Sequence, residues 1–304
     1  MKDFYPEGTR LKCSGKIYYT AGDISSAVKT GEILEATAIL CDSDHHLTVD
    51  LGCMKGIIKR EEGAIGIAEG KARDIAVISR VGKSVQFVVT DIGVDLSGQP
   101  VAILSRRKAQ EKFLKEKLAL LRYGDVLDAK VTHLDFFGVF CDIGCGVVAL
   151  LPIDSISVSR ISHPKDRFKV GDDIKVALKN KAEDGKITVS HKELLGTWQE
   201  NAALFSAGQT VSGVVRSVED YGVFVELTPN LAGLAESFDT KVGDTASVYV
   251  KSIIPEKMKV KLIIIDSFES SYSPEIKYFY NGEHIDRFDY SPPSGNKKIF
   301  TEFV

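Results

Sequence analysis

The 304-residue sequence has little of what marks secreted, membrane-spanning or polyanion-coating proteins. No apolar run approaches the roughly 20 residues that a helix needs to cross a bilayer, so no membrane partner is expected. The start, Met1-Lys-Asp-Phe-Tyr-Pro6, has no charged region followed by an apolar stretch, and a secretory leader is not expected either. There are only five cysteines, at 13, 41, 53, 141 and 145. An odd count at that density does not build a disulfide scaffold and fits reduced thiols in a cytoplasmic protein. With 39 basic and 42 acidic residues the net charge is −3, which argues against indiscriminate, charge-driven binding of polyanions. Any nucleic-acid contact must come from the chemistry of one local face.

Catalytic and metal-binding patterns are equally scarce. Cys141 and Cys145 could be grouped with His133 and His163, but they lack the paired C-x-x-C knuckles of a structural zinc site and read as buried thiols. His45 and His46 are adjacent and would point to opposite faces of a strand, which is poor ligand geometry. Gly144-Cys-Gly146 lacks the strand–loop–helix setting of a phosphate loop. Glu61-Glu62 and Asp172-Asp173 sit in turn-like contexts. No catalytic residue, metal or cofactor is expected, and an enzyme is not the reading.

What the sequence does contain is a repeat. Gly124 leads through Lys130-Val131 and Phe137-Gly-Val-Phe140 to Asp142-Ile143. Adding 84 to each number gives Gly208, Val214-Val215, Tyr221-Gly-Val-Phe224 and Glu226-Leu227, without a gap. A weaker copy precedes both, with Val49-Asp50-Leu51-Gly52 in the place of Cys141-Asp142-Ile143-Gly144. Val81-Gly-Lys83, Val170-Gly-Asp172 and Val242-Gly-Asp244 each open an alternating apolar segment, and each unit closes on a further strand. Period-two alternation broken by turn signals predicts strands and hairpins. About five short strands per unit suit a small closed barrel, although periodicity alone leaves a small sandwich open.

Between the units the period changes. Residues 106–121 carry Ala109, Phe113, Leu118 and Leu121 at helical spacing among strong helix formers. Ser190-His-Lys-Glu193 reads as a capping box opening a second helix whose apolar face is Leu194, Trp198, Ala202 and Phe205, with Trp198 packed on a barrel. The aromatic segment 267–304 is expected to fold back onto the third barrel.

An aromatic-Gly-Val-Phe strand, a Val-Gly-Asp turn and a last strand ending in Ser, in that order, resemble the S1 RNA-binding domain. That repeat occurs in bacterial ribosomal protein S1 and in polynucleotide phosphorylase. The resemblance is closest over 123–191 and 207–265 and looser over 31–106, where Ala102-Ile-Leu-Ser-Arg-Arg107 is similar to the repeat's ending. Glu193-Leu-Leu-Gly-Thr-Trp-Gln-Glu-Asn201 and Ser217-Val-Glu-Asp-Tyr-Gly-Val-Phe-Val-Glu-Leu227 are similar to short S1-type proteins of clostridial bacteria. The implied fold is mainly β: three tandem five-stranded OB-fold barrels joined by helical linkers. The expected division is an N-terminal segment 1–30, a degenerate S1-type domain 31–106, a helical linker 107–122, an S1-type domain 123–191, a helical linker 192–206, an S1-type domain 207–266 and an aromatic tail 267–304.

The same resemblance implies which residues would meet RNA. The stacking rings fall on Phe137 and Phe140 and on Tyr221 and Phe224, and the phosphate-binding residue of the last strand falls on Lys186 and Lys259. The family's histidine position is taken by Pro152 and by Glu236, whose charge would repel phosphate. In the first unit His45 and Thr48 replace the rings and Lys59 the histidine, so that unit is expected to serve structure or protein contact. Base stacking tolerates any sequence because every base has a π face, and cations beside the rings hold the backbone. Glycine between the rings is expected to let the strand bend and to leave room for a base. Arg160, His163, Lys165, Arg167 and Lys169 crowd one loop of the second unit, with Lys179, Lys181 and Lys186 beyond it, which makes 123–191 the expected main site. The function that follows is binding of single-stranded mRNA during translation, with the small ribosomal subunit as a possible partner. A protein-interaction scaffold on ribosome or RNA polymerase, and a regulator of RNA decay, are the alternatives.

Overall fold

The computed structural model describes residues 4–9, 18–95, 97–270 and 272–304. Cys13 and the opening residues Met1–Asp3 lie outside them. The chain forms two compact units, one of residues 1–121 with 142–148, the other of residues 122–141 with 149–304.

Three closed barrels of five strands each account for most of the structure. The first is built from β1 (Ile33–Cys41), β2 (Leu47–Asp50), β3 (Lys55–Ile58), β4 (Ser84–Val94) and β5 (Pro100–Ser105). The second is built from β6 (Val126–Asp135), β7 (Gly138–Asp142), β8 (Val148–Pro152), β9 (Asp173–Lys181) and β10 (Ile187–Ser190). The third uses β11 (Thr210–Glu219), β12 (Gly222–Thr228), β13 (Leu231–Ala235), β14 (Thr245–Ile254) and β15 (Lys259–Phe268). In each, the third strand pairs in parallel with the fifth, and the fifth returns antiparallel to the fourth. The alternating residues face inward as their period predicts: Val85, Phe87 and Val89 are buried in the first barrel, Ile174, Val176 and Leu178 in the second, and Ala246, Val248 and Val250 in the third. Closure of the sheets excludes a sandwich.

The helices follow local chemistry. Thr20 and Asp23 form a capping box for α1 (Ala21–Thr30), which buries Ile24 and Ala27 against the first barrel and ends at Gly31 in the left-handed region. A single turn, α2 (Ile75–Ile78), follows in the same barrel. Ser105 caps α3 (Arg106–Glu116), whose Ala109 and Phe113 are buried as the spacing predicts. The helix expected from Ser190 onward is broken in two. The Ser190 hydroxyl does bond Glu193, but only a 3-10 turn, Lys192–Leu195, follows. Gly196 then adopts φ +82°, and Thr197 with Glu200 caps a separate α4 (Trp198–Ala202). Trp198 joins the core of the third barrel together with Tyr290 from the tail. Tyr290 donates to the Asn230 carbonyl and accepts Trp198 N–H on its own carbonyl, so the tail does return to that barrel.

Within the second unit the loop 160–169 does something the sequence did not suggest. His163 and Asp166 cap a 3-10 turn, Pro164–Asp166. The turn delivers Arg167 to Glu226 of β12, where both side chains are fully buried and 2.7 Å apart. Arg216 of β11 reaches the same carboxylate at 2.9 Å. Burial alone would raise the Glu226 pKa, but the hydrogen bond and charge of Arg167, then those of Arg216, hold it below the ordinary carboxylate range. The stabilisation linked to this group is therefore present at neutral pH and lost as pH falls through the depressed folded-state value. Removing one partner of a buried pair costs about 3–5 kcal/mol, because the charge left behind is uncompensated. Arg167→Met should accordingly lower the unfolding free energy from urea titration at pH 7, and with it the midpoint, by up to about that amount, since Arg216 still offsets part of the Glu226 charge. The difference from the parent should shrink under acid conditions where Glu226 is protonated. An equal midpoint at pH 7 would show that the cluster is not stabilising.

Candidate nucleic-acid interface

The two-residue connection Phe136-Phe137 turns β6 into β7, and Asp220-Tyr221 turns β11 into β12. Strand residues three apart normally face opposite ways. Here the first ring lies in the turn, outside the pleat, and can rejoin the ring that points out of the following strand. Phe137 and Phe140 meet edge to face with centroids 5.8 Å apart, and Tyr221 and Phe224 do the same at 6.2 Å. The intervening Val139 and Val223 point inward and are fully buried. Phe137 is 41% exposed and Tyr221 68%, so both rings offer surface to a base.

The glycine between the rings has a different cause from the one expected. A Cβ on Gly222 would lie 2.3 Å from the Ala235 carbonyl oxygen, and one on Gly138 would lie 2.5 Å from that of Leu151. Gly222 also has φ +148°. The residue is glycine because the neighbouring strand's backbone occupies the space a side chain would need, not to clear room for a base.

The second barrel extends its ring pair into a row. Phe136, 72% exposed, packs on Phe137 at 5.3 Å, and His133 tilts by 31° against Phe140 at 6.0 Å. Neither was singled out for this role from the sequence. The adjacent phenylalanines were the available signal for Phe136, whereas nothing marked His133, whose counterpart 84 residues on is Ser217. The basic residues around this row are dispersed. Arg160 is exposed and Lys179 reaches the Ser155 hydroxyl at 3.3 Å. Lys186 stands on the exposed β9–β10 hairpin, 2.6 Å from Asp184, which raises the lysine's pKa through a hydrogen bond and charge. Arg167 is withdrawn into its buried pair with Glu226 and presents nothing to solvent.

On the third barrel the same parts come together. Tyr221, Phe224, Lys251, Lys259 and Lys261 line one cleft of about 470 Å³, with Glu236 at its edge. Strand register explains the grouping. Ser252 pairs with Lys261 and Ile254 with Lys259, as Asn180 pairs with Thr188 in the second barrel. Lys251 and Lys259 thus stand where Lys179 and Lys186 stand, and Lys261 adds a cation where the second barrel has Thr188. The first barrel has no ring pair in this place. His45, at φ +62°, and Arg60 both face Asp74, at 3.5 and 2.6 Å, and Thr48 pairs with Ile57 inside the sheet.

Residues 121–192 match the S1 RNA binding domain family. The second barrel is an S1 domain. Over longer stretches the chain is similar to bacterial bS1 proteins. It is 34% identical over 184 residues to small ribosomal subunit protein bS1 of Leuconostoc lactis, covering 58% of this chain and 42% of the relative. It is 27% identical over 230 residues to the bS1 homolog of Bacillus subtilis strain 168, covering 73% and 59%. With bS1 of Staphylococcus aureus strain COL it shares 31% over 192 residues, covering 60% and 48%. The chain spans about half the length of the curated relatives it matches. No helix among the described residues is long and apolar enough to cross a membrane.

If backbone contact is what demands glycine, Gly222→Ala should destabilise the third barrel by about 1–3 kcal/mol, the usual cost of forcing atoms into filled space. Urea unfolding measures this directly. A variant as stable as the parent would restore ligand access as the reason for the glycine.

Proposed function

We propose that this chain binds single-stranded RNA by stacking bases on the exposed rings of its second and third barrels, and that it does so in translation. The observation that carries the reading is the cleft on the third barrel, where two rings and three lysines share one concave surface. Rings supply sequence-tolerant stacking, and lysines supply the phosphate contacts that a chain of net charge −3 lacks in bulk. The S1 match over the second barrel supports the same chemistry there. The relatives are named as ribosomal proteins, which favours a cytoplasmic, non-enzymatic role near the small ribosomal subunit.

The two ring-bearing barrels are unequal. The second offers the longer aromatic row, Phe136, Phe137 and Phe140 with His133, while the third holds its cations closer to its rings. The working set for RNA is Phe137, Phe140, Lys179, Lys186 and Arg160 on one barrel and Tyr221, Phe224 and Lys259 on the other. Arg167 has a structural task instead.

Fluorescence anisotropy with a short unstructured RNA at two salt concentrations tests the proposal. Each lost base stack should weaken binding by about 1–3 kcal/mol, so Phe137→Ala with Phe140→Ala, and Tyr221→Ala with Phe224→Ala, should each bind clearly less tightly than the parent. Lys259→Ala should flatten the dependence of log K on log salt by about 0.7, the slope of one phosphate contact on a single strand. Parent-like affinity in both ring variants would rule out stacking as the mechanism.

A further inference from the structure

We infer that the cleft on the third barrel selects a guanine base, with Glu236 and Lys251 as the residues that read it. The inference rests on the reading that this barrel binds single-stranded RNA and asks what its departure from a purely basic surface does. Stacking on Tyr221 and Phe224 cannot choose among bases, since every base presents a π face. Choice must come from groups that meet the base edge.

Most of the cleft cannot supply such groups. The backbone of β13 along its floor is already paired on both sides, antiparallel to β12 and parallel to β15. Lys259 and Lys261 are donors on β15 and suit phosphate. Among the described residues lining the cleft, Glu236 is the one carboxylate. Its side chain is 89% exposed, and its nearest cation is Lys251 Nζ at 4.0 Å, itself 56% exposed. A pair this open and this long is worth little in stability, so neither group is tied up by the other. A bare carboxylate would repel an RNA backbone, and its presence beside three lysines makes sense when it faces a base instead.

The two groups together present one cationic donor beside two acceptor oxygens. The Watson–Crick edge of guanine offers the complement: the O6 acceptor, then the N1–H and N2–H donors side by side. A carboxylate can accept both donors at once, the bidentate charge-assisted arrangement that gives strength and directionality. Adenine offers one donor followed by an acceptor, and cytosine one donor followed by two acceptors. Uracil offers a single imide donor flanked by two carbonyls, one of which would face the second carboxylate oxygen. Guanine alone satisfies all three positions. The corresponding place in the second barrel is Pro152, which has no side-chain hydrogen-bonding group, so the two barrels differ in selectivity as well as in lysine placement.

The test uses the full chain and uridine oligomers that carry one central guanosine, inosine or adenosine, with anisotropy as the readout. Guanosine should bind roughly tenfold more tightly than adenosine, the discrimination of one good bidentate contact. Inosine, which keeps O6 and N1–H but lacks the N2 amino group, should fall between them. Glu236→Gln, on an exposed side chain, exchanges one acceptor for a donor and should erase the order. The ratios are read again in the chain carrying Phe137→Ala with Phe140→Ala, where stacking on the second barrel dilutes them less. Equal binding of the three oligomers in both chains, or a Glu236→Gln chain that keeps the guanosine preference, would overturn the inference and leave RNA binding standing. Failure of every oligomer to bind at low salt would instead remove the RNA reading, and this inference with it.

Discussion

A carboxylate with no exposed surface must find cations or remain protonated, and Glu226 finds two. Arg167 comes from the long loop of the second barrel and Arg216 from the strand beside Glu226 itself. Once these charges are buried together, separating them would leave ions without water or partners. Arg167 is then withdrawn from the loop 160–169, whose Arg160, Lys165 and Lys169 stay exposed. The repeat makes the position instructive. Asp142, 84 residues earlier, is also buried, and it accepts the backbone N–H groups of Glu7, Gly144 and Gly146. Burial and the nearby Glu7 charge push its pKa up to about 7 in spite of those bonds. One acid, placed at the end of the second strand of a repeat, has become a buried attachment point by two different chemistries.

Barrels and ring pairs were legible in the sequence because they rest on local rules. Alternation gives strands, an aromatic beside an inward valine gives an outward ring, and an offset of 84 without a gap gives the duplication. What escaped depended on neighbours remote in the chain. Arg167 reads as one of several loop cations until Glu226, 59 residues away, takes it inside. The helix written by Leu194, Trp198, Ala202 and Phe205 has a sound period, but Gly196 in the left-handed region outweighs it and Thr197 restarts the helix with its own cap. α1 could have been found from Thr20 and Asp23 at capping-box spacing.

The site divides in the same way. Tyr221 and Phe224 were visible as a motif, while Lys251 and Lys261 needed the register of β14 on β15 to place them beside the rings. Glycine in aromatic-Gly-Val-Phe looked like a concession to the ligand and is a concession to the neighbouring strand. That difference matters for how such motifs are read. The glycine reports that a strand crosses closely behind the turn, and the rings report which way the turn faces. Neither is compulsory for the fold: in the first barrel His45-His46-Leu47-Thr48 stands in that place without the glycine or the rings, and the barrel still closes.

Because the Glu226 cluster and the returning tail hold the second and third barrels in one compact unit, the separation between their ring pairs is set by packing rather than by a tether. Two sites on a floppy linker accept many ligand lengths with gradual gain, whereas two sites on a rigid body behave as a ruler. If both ring pairs bind RNA as proposed, an RNA too short to reach both meets two independent sites. One that spans them turns the second encounter into an intramolecular event, so affinity rises steeply over a narrow window of length and changes little beyond it. In this chain the buried salt bridge is what graduates that ruler.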